Sequence, residues 1–171
     1  MSVRRVLIVD GYNVLCAAEP YASLAGDDLD AARARLVADV AAYAGREQQA
    51  LVVFDGGGNP SSDGAPHTVA GVEVVFSPAG VDADTVIEQE ASARRAAGYE
   101  VTVVTSDAQT QWAVMGAGVT RMSSAGFVSE IVAEQAEYSE HTPSGSTRST
   151  IAERADAATR EALARWARGE R

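Results

Sequence analysis

Residues 3–13 read VRRVLIVDGYN. Val6 to Val9 form an apolar, largely β-branched run of the length expected for a buried strand, and it stops on Asp10. Two more apolar runs end the same way. LVVF (51–54) closes on Asp55 before three glycines, and VTVVTS (101–106) closes on Asp107. A fourth acid, Asp84, sits near the start of an amphipathic stretch, DADTVIEQEASARRAAG (82–98). A carboxylate at a strand terminus is not core filler; it must be solvated, capped, paired or bound to a cation. Several such groups at one sheet edge repel one another unless a divalent ion neutralises them, which is the chemistry of a Mg²⁺ site.

Working outward from these runs, the pattern predicts strands at 3–10, 51–54, 72–76 and 100–106, with a short one at 118–122. Helices are expected at 28–44, from Asp82 or Asp84 to about Ala97, over roughly 108–115, from Ser123 or Ser124 to about Tyr138, and at about 150–168. The first of these has Asp27 or Asp28 as N-cap, Leu29, Leu36, Val40 and Tyr43 on one stripe, and Gly45 as its stop. Residues 56–71 read as a turn-rich loop without periodicity. Strands alternating with helices imply an α/β fold: three layers, a mainly parallel sheet with helices on both faces, and a C-terminal helix. In such sheets ligands bind outside the carboxyl ends of the strands, where strand order reverses. With order 3-2-1-4-5 the first and fourth strands are neighbours at that point, and Asp10 and Asp107 face each other across it.

The length of 171 residues suits one domain spanning 1–171, with a core at about 3–138, a polar linker at about 139–149 and the last helix beyond it. The single cysteine, Cys16, excludes an internal disulfide and suits a reducing compartment. Asp10 interrupts the first apolar run too early for a signal peptide or a membrane span, so a cytoplasmic protein with no membrane partner is expected. The formal net charge of −10 argues against a general nucleic-acid binder, which relies on a basic surface. From Arg148 onward, however, six Arg face four acids, a local balance of +2. There is no lysine.

Each candidate has a functional and a bland reading. Asp10 is a metal ligand, with Asn13 orienting it, or it is a strand-end turn residue. Asp84 and Glu88 share one helix face, as ligands or as acids favoured by the helix dipole. Asp107 is a ligand or the N-cap of the following helix, and Ser106 beside it could hydrogen-bond a phosphate. Asp55 is a further ligand or the start of a turn. Trp112 either stacks on a base or packs with Met115 in the core. Trp166 and Leu163 are expected to anchor the last helix. Arg165 and Arg168 on that helix either contact backbone phosphates or form a solvated face. His67 and His141 lie in polar stretches and are expected to be solvated. No Cys/His cluster suits zinc, GGG at 56–58 lacks the Lys of a phosphate loop, and DGYNVL replaces the dinucleotide fingerprint. Tyr12 occupies the place where a haloacid-dehalogenase-type phosphatase would carry its second Asp.

VLIVDGYNVL (6–15), DADTVIEQEA (82–91) and VTVVTSDAQTQWAVMGAGVTRMSSAGF (101–127), with RWARG (165–169), resemble the YacP-type NYN domain, a branch of the PIN-like nuclease superfamily. The similarity runs from about Arg5 to Gly169. It implies a PIN-like fold and an endonuclease of single-stranded RNA using Mg²⁺ or Mn²⁺, in some members acting on mRNA at the ribosome. By position Asp10, Asp84 and Asp107 match the family's acidic site, with Asn13, Asp55 and Glu88 as supporting matches. The glycine-rich stretch at 56–71 departs from the family pattern. The rival expectation is a non-catalytic RNA- or ribosome-binding module on the same fold. Clustered carboxylates facing phosphates speak against that.

Overall fold

The computed structural model describes residues 2–108, 110, 118–141 and 148–171. Strand β1 (Arg5–Asp10) alternates between two cores, which is why its apolar run is unbroken. Val6 and Ile8 enter one core, Leu7 and Val9 the other, and all four are buried. Its neighbours are β2 (Gln48–Phe54) and β5 (Glu100–Val104), both parallel to it. β4 (Val72–Phe76) extends the sheet beyond β2, and β6 (Val119–Met122) extends it beyond β5, again in parallel.

The order is β3-β4-β2-β1-β5-β6, with β3 (His67–Val69) an antiparallel edge strand. Without β3 this is the 3-2-1-4-5 arrangement expected from the alternation. The strand β3 itself falls in the stretch expected to be a loop. Ala70 (φ 52°) and Gly71 (φ 80°) make a two-residue turn between Val69 and Val72. Two successive positive φ angles match the twist of a hairpin, but Ala-Gly lacks the Asn-Gly signal that would have announced it.

One face of the sheet carries α1 (Gly11–Ala17), α2 (Tyr21–Asp27), α3 (Leu29–Ala44), α5 (Ser124–His141) and the end of α6 (Arg148–Ala167). The other is covered by α4 (Ala83–Ala96), through Ala83, Val86, Ile87 and Ala91. Caps set these helices where the sequence placed them. Asp28 accepts from the Ala31 N–H at 3.0 Å, Asp82 accepts from the Thr85 N–H at 2.8 Å, and Gly45 ends α3 at φ 58°. On α3, Leu36 and Val40 are buried and Tyr43 partly so, but Leu29 in the first turn is exposed. Trp166 and Leu163 do anchor α6: Leu163 is fully buried and Trp166 packs against the same core. His67 is not a solvated loop residue, since its ring stacks on Trp166 at 4.2 Å. Among the described residues no helix is long and apolar enough to cross a membrane.

DGYN does not form the open turn that Asp-Gly suggests. The chain passes from β1 directly into α1, and Gly11 is buried in its first turn. A Cβ there would lie 2.3 Å from the Phe54 ring, which is itself fully buried between Tyr12 and Phe76. Gly11→Ala therefore has to displace a packed aromatic ring. We expect it to lower unfolding free energy by about 1–3 kcal/mol, read from urea denaturation. An unchanged midpoint would show that Phe54 can yield.

Candidate active site

The register of the parallel pair places Val9 opposite Val104, so the ends of β1 and β5 emerge together. Asp10 therefore stands beside Thr105, whose hydroxyl donates to Asp10 Oδ2 at 3.1 Å. Continuing the alternation of Val6 and Ile8, Asp10 points to the face covered by α4, whose first turn carries Asp84. Asp10 is only 7% exposed. Burial pushes its carboxyl up to about 6; the Thr105 hydroxyl opposes this, Asp84 adds to it, the nearby Asn13 N–H opposes it, and Asp107 adds to it. Asp10 occupies the N-cap position of α1 without closing a side-chain cap bond, so that N–H acts through its field. Among the described residues, no arginine or histidine is one of the groups acting on Asp10. Asp84 and Asp107 thus both act on Asp10, with no cation of the protein's own beside it among the described residues.

Asn13, one turn into α1, joins three elements. Its Oδ1 accepts from the Ser106 N–H at 2.9 Å and from the Ser124 hydroxyl at 2.5 Å. The Ser124 N–H donates in turn to Ser106 Oγ at 3.0 Å. Asp107 is seen here in its capping role. Its N–H donates to Thr105 Oγ1 at 3.1 Å, and its Oδ1 accepts from the Thr110 N–H at 3.0 Å, capping the short turn that follows. Thr105 and Ser124 escaped the sequence reading as site residues. Thr105 was legible only as a strand residue, and Ser124 only as a candidate cap.

The remaining candidates stand further out. Asp55 holds its own loop through the Gly57 N–H (2.7 Å) and the start of α4 through the Ala83 N–H (3.3 Å). It is a bracket for the helix that carries Asp84, and it is not among the charges acting on Asp10. Glu88 is exposed one turn beyond Asp84 and does not act on Asp10 either. Arg165 is exposed, and Arg168 is exposed and paired with Glu170 at 3.1 Å. Trp112 and Met115 lie outside the described residues, as does most of the helix expected at 108–115.

The donor set is all oxygen and carries several negative charges, which suits a hard divalent cation over zinc or copper. Among the described residues, no three His, Cys, Asp or Glu side chains converge closely enough to grip one ion directly. The residues fit an ion that keeps part of its water shell and touches one or two carboxylates, as Mg²⁺ commonly does.

The family model of the YacP-like NYN domain matches residues 7–168. A curated relative, the uncharacterized protein YacP of Bacillus subtilis, is 31% identical over 136 residues, covering 74% of each chain. Two crystal structures of Rae1 (YacP) from Bacillus subtilis are similar throughout. The unsubstituted protein superposes with a TM-score of 0.66 at 28% identity, covering 96% of this chain and 95% of that one. A single-substitution mutant gives 0.66 at 30% identity, covering 80% of each. This chain belongs to the YacP-like NYN domain family, a PIN-like nuclease family. That membership supports an RNase-type function, and the family typically uses divalent metals.

Burial of Asp10 has a measurable consequence in metal-free solution. Well below pH 3.8 the carboxyl is protonated in both folded and unfolded chains. As pH rises the unfolded chain ionises first, so the folded state is increasingly disfavoured until pH has passed about 6. Relative to Asp10→Asn in EDTA, wild type should lose roughly 3 kcal/mol of unfolding free energy between pH 3 and pH 7.5. A constant gap across that range in urea titrations would mean that Asp10 ionises normally.

Proposed function

We propose that this protein is a metal-dependent endoribonuclease that hydrolyses phosphodiester bonds of single-stranded RNA, with mRNA on the ribosome as its candidate substrate. The observation that carries this is the neighbourhood of Asp10: carboxylates from α4 and the end of β5 act on its own, with no cation acting on it among the described residues. A fold that only bound RNA would gain nothing from concentrated negative charge facing phosphates. Asp10, Asp84 and Asp107 would hold the ion, Mg²⁺ or Mn²⁺, in part through its own water shell. Bound there, it would neutralise the carboxylates against the phosphodiester and acidify the attacking water.

The protein's own part is orientation. Thr105 fixes the Asp10 carboxylate, and Asp107 is held by the turn it caps. Asp55 sets the start of α4 and hence the approach of Asp84. Asn13 completes the catalytic set. Glu88, exposed on the next turn of α4, would meet a second ion or a water at the rim. Ser106, Arg165 and Arg168 are the candidates for contact with RNA phosphates. The net charge of −10 supplies no general attraction to RNA. A large partner such as the ribosome would therefore present the substrate. The lone cysteine, free and exposed, suits work in a reducing cytoplasm.

Cleavage of a mixed-sequence RNA should require Mn²⁺ or Mg²⁺ and stop in EDTA. Asp10→Asn and Asp84→Asn, both still folded, should each cut about 100-fold more slowly or worse, since even residues supporting a metal ligand commonly cost 10–100-fold. Parallel reactions with ribosomes test the partner. A folded Asp84→Asn protein that cuts at the wild-type rate removes the site. A wild type that binds RNA and cuts under no condition favours the binding module.

A further inference from the structure

The Ser106–Asn13–Ser124 knot determines which end of the Asn13 amide is available, and this deepens the nuclease reading on which it rests. A backbone N–H can only donate, so the atom facing the Ser106 N–H at 2.9 Å has to be Oδ1. The Ser124 hydroxyl occupies the same oxygen from α5, at 2.5 Å. With two donors on it, the carbonyl oxygen is turned away from any ligand. The side-chain NH₂ is the free end: it has no hydrogen-bond partner among the described residues. No partnerless polar side-chain atom is buried there either, so this NH₂ is open to solvent. An NH₂ group donates hydrogen bonds and does not coordinate cations.

We propose that Asn13 acts as a hydrogen-bond donor to an oxygen of the substrate phosphodiester, not as a ligand of the ion, and that Ser124 is the positioning residue that sets its orientation. Ser124 is fully buried and comes from the first turn of α5, far along the chain from α1. Its hydroxyl gives the amide a second reason, beside the Ser106 N–H, not to rotate by half a turn. Such a rotation would present the carbonyl oxygen to a phosphate, where two acceptors repel. Asn13 follows Asp10 by three residues, so its donor stands next to the carboxylates at which the phosphodiester would react.

Asn13→Asp separates the two roles. The aspartate keeps an oxygen for both Ser106 and Ser124, so the fold should hold, but it replaces the NH₂ by a second acceptor. Titration of the metal-free protein should then show Mn²⁺ bound no more weakly than in wild type, while kcat/KM for RNA cleavage falls by about 100-fold, the usual cost of one preorganised donor. Ser124→Ala should cost about 10-fold in the wild-type background and nothing further in Asn13→Asp, because a symmetric carboxylate has no orientation to fix. A merely structural Ser124 would cost the same in both backgrounds. Asn13→Asp cutting at the wild-type rate, or binding Mn²⁺ more weakly, overturns the assignment and leaves the nuclease reading intact. Should wild type bind RNA without cutting it, that reading falls by itself. The assignment is then decided by affinity: Asn13→Asp must bind the oligonucleotide more weakly, and equal affinity overturns it.

Discussion

The hydrogen bond from Thr105 to Asp10 joins the ends of the two central strands, and the site is organised around it. A buried carboxylate requires a donor, and here the donor comes from the neighbouring strand at the switch point, not from the helix that follows. Because β1 and β5 are parallel and in register, neither end can move along the sheet without breaking this bond. The same hydroxyl receives the Asp107 N–H, so one threonine sets the spacing of two of the three acids. The third, Asp84, arrives on the opposite side from α4. It meets a carboxylate that is already fixed.

The placement of α4 depends on the far end of the chain. Asp55 brackets the α4 N-terminus and the first turn of the loop that follows β2. That loop is tied down twice. Ser62 donates to the carbonyls of Phe76 and Ser77 at the end of β4, and Asn59 donates to the Ala167 carbonyl at the end of α6. Gly169 lies so close to Ser61 that a Cβ would sit 2.5 Å from it, and Trp166 stacks on His67 a few residues on. The C-terminal helix thus closes over the glycine-rich loop, and through Asp55 that closure is in contiguous contact with the helix carrying Asp84. A stretch that reads as flexible from its glycines is held by hydrogen bonds on three sides.

The acids were legible because a charged residue that ends an apolar run violates the pattern around it. Asp10, Asp55 and Asp107 each do so, and the alternation of elements was enough to place Asp10 and Asp107 together. Asp55 ranks below the other acids already in the sequence, since it reads equally as the start of a turn, but its bracket on α4 was not legible, because capping a helix and binding an ion ask for the same side chain. Gly11 concealed α1. Its glycine reads as a turn, yet it answers to a ring in β2 more than forty residues away. The orientation of Asn13 was out of reach for the same reason: it is set by Ser124, 111 positions later. What the sequence hides here are pairings across the fold, and these decide how a recognised residue is used.

Charge makes those pairings matter. The surplus of arginine after Arg148 invites a reading as a basic RNA-binding tail, but the structure engages much of it. Arg160 pairs with Asp28, Arg168 with Glu170 and Arg171 with Asp63. Two of these bonds fasten the helix to the body, and an exposed pair adds little free positive field. Arg33, buried near α1, is likewise engaged, by the Tyr12 hydroxyl and Asp30. Arg165 is the tail arginine with a described side chain that forms no ion pair among the described residues. With much of its tail arginine so engaged and its centre acidic, the chain is poorly equipped to attract a phosphate from a distance. Under the proposed nuclease reading it would recognise one at contact, through neutral donors such as the Asn13 amide and the Ser106 hydroxyl, which do not compete with the carboxylates for a cation.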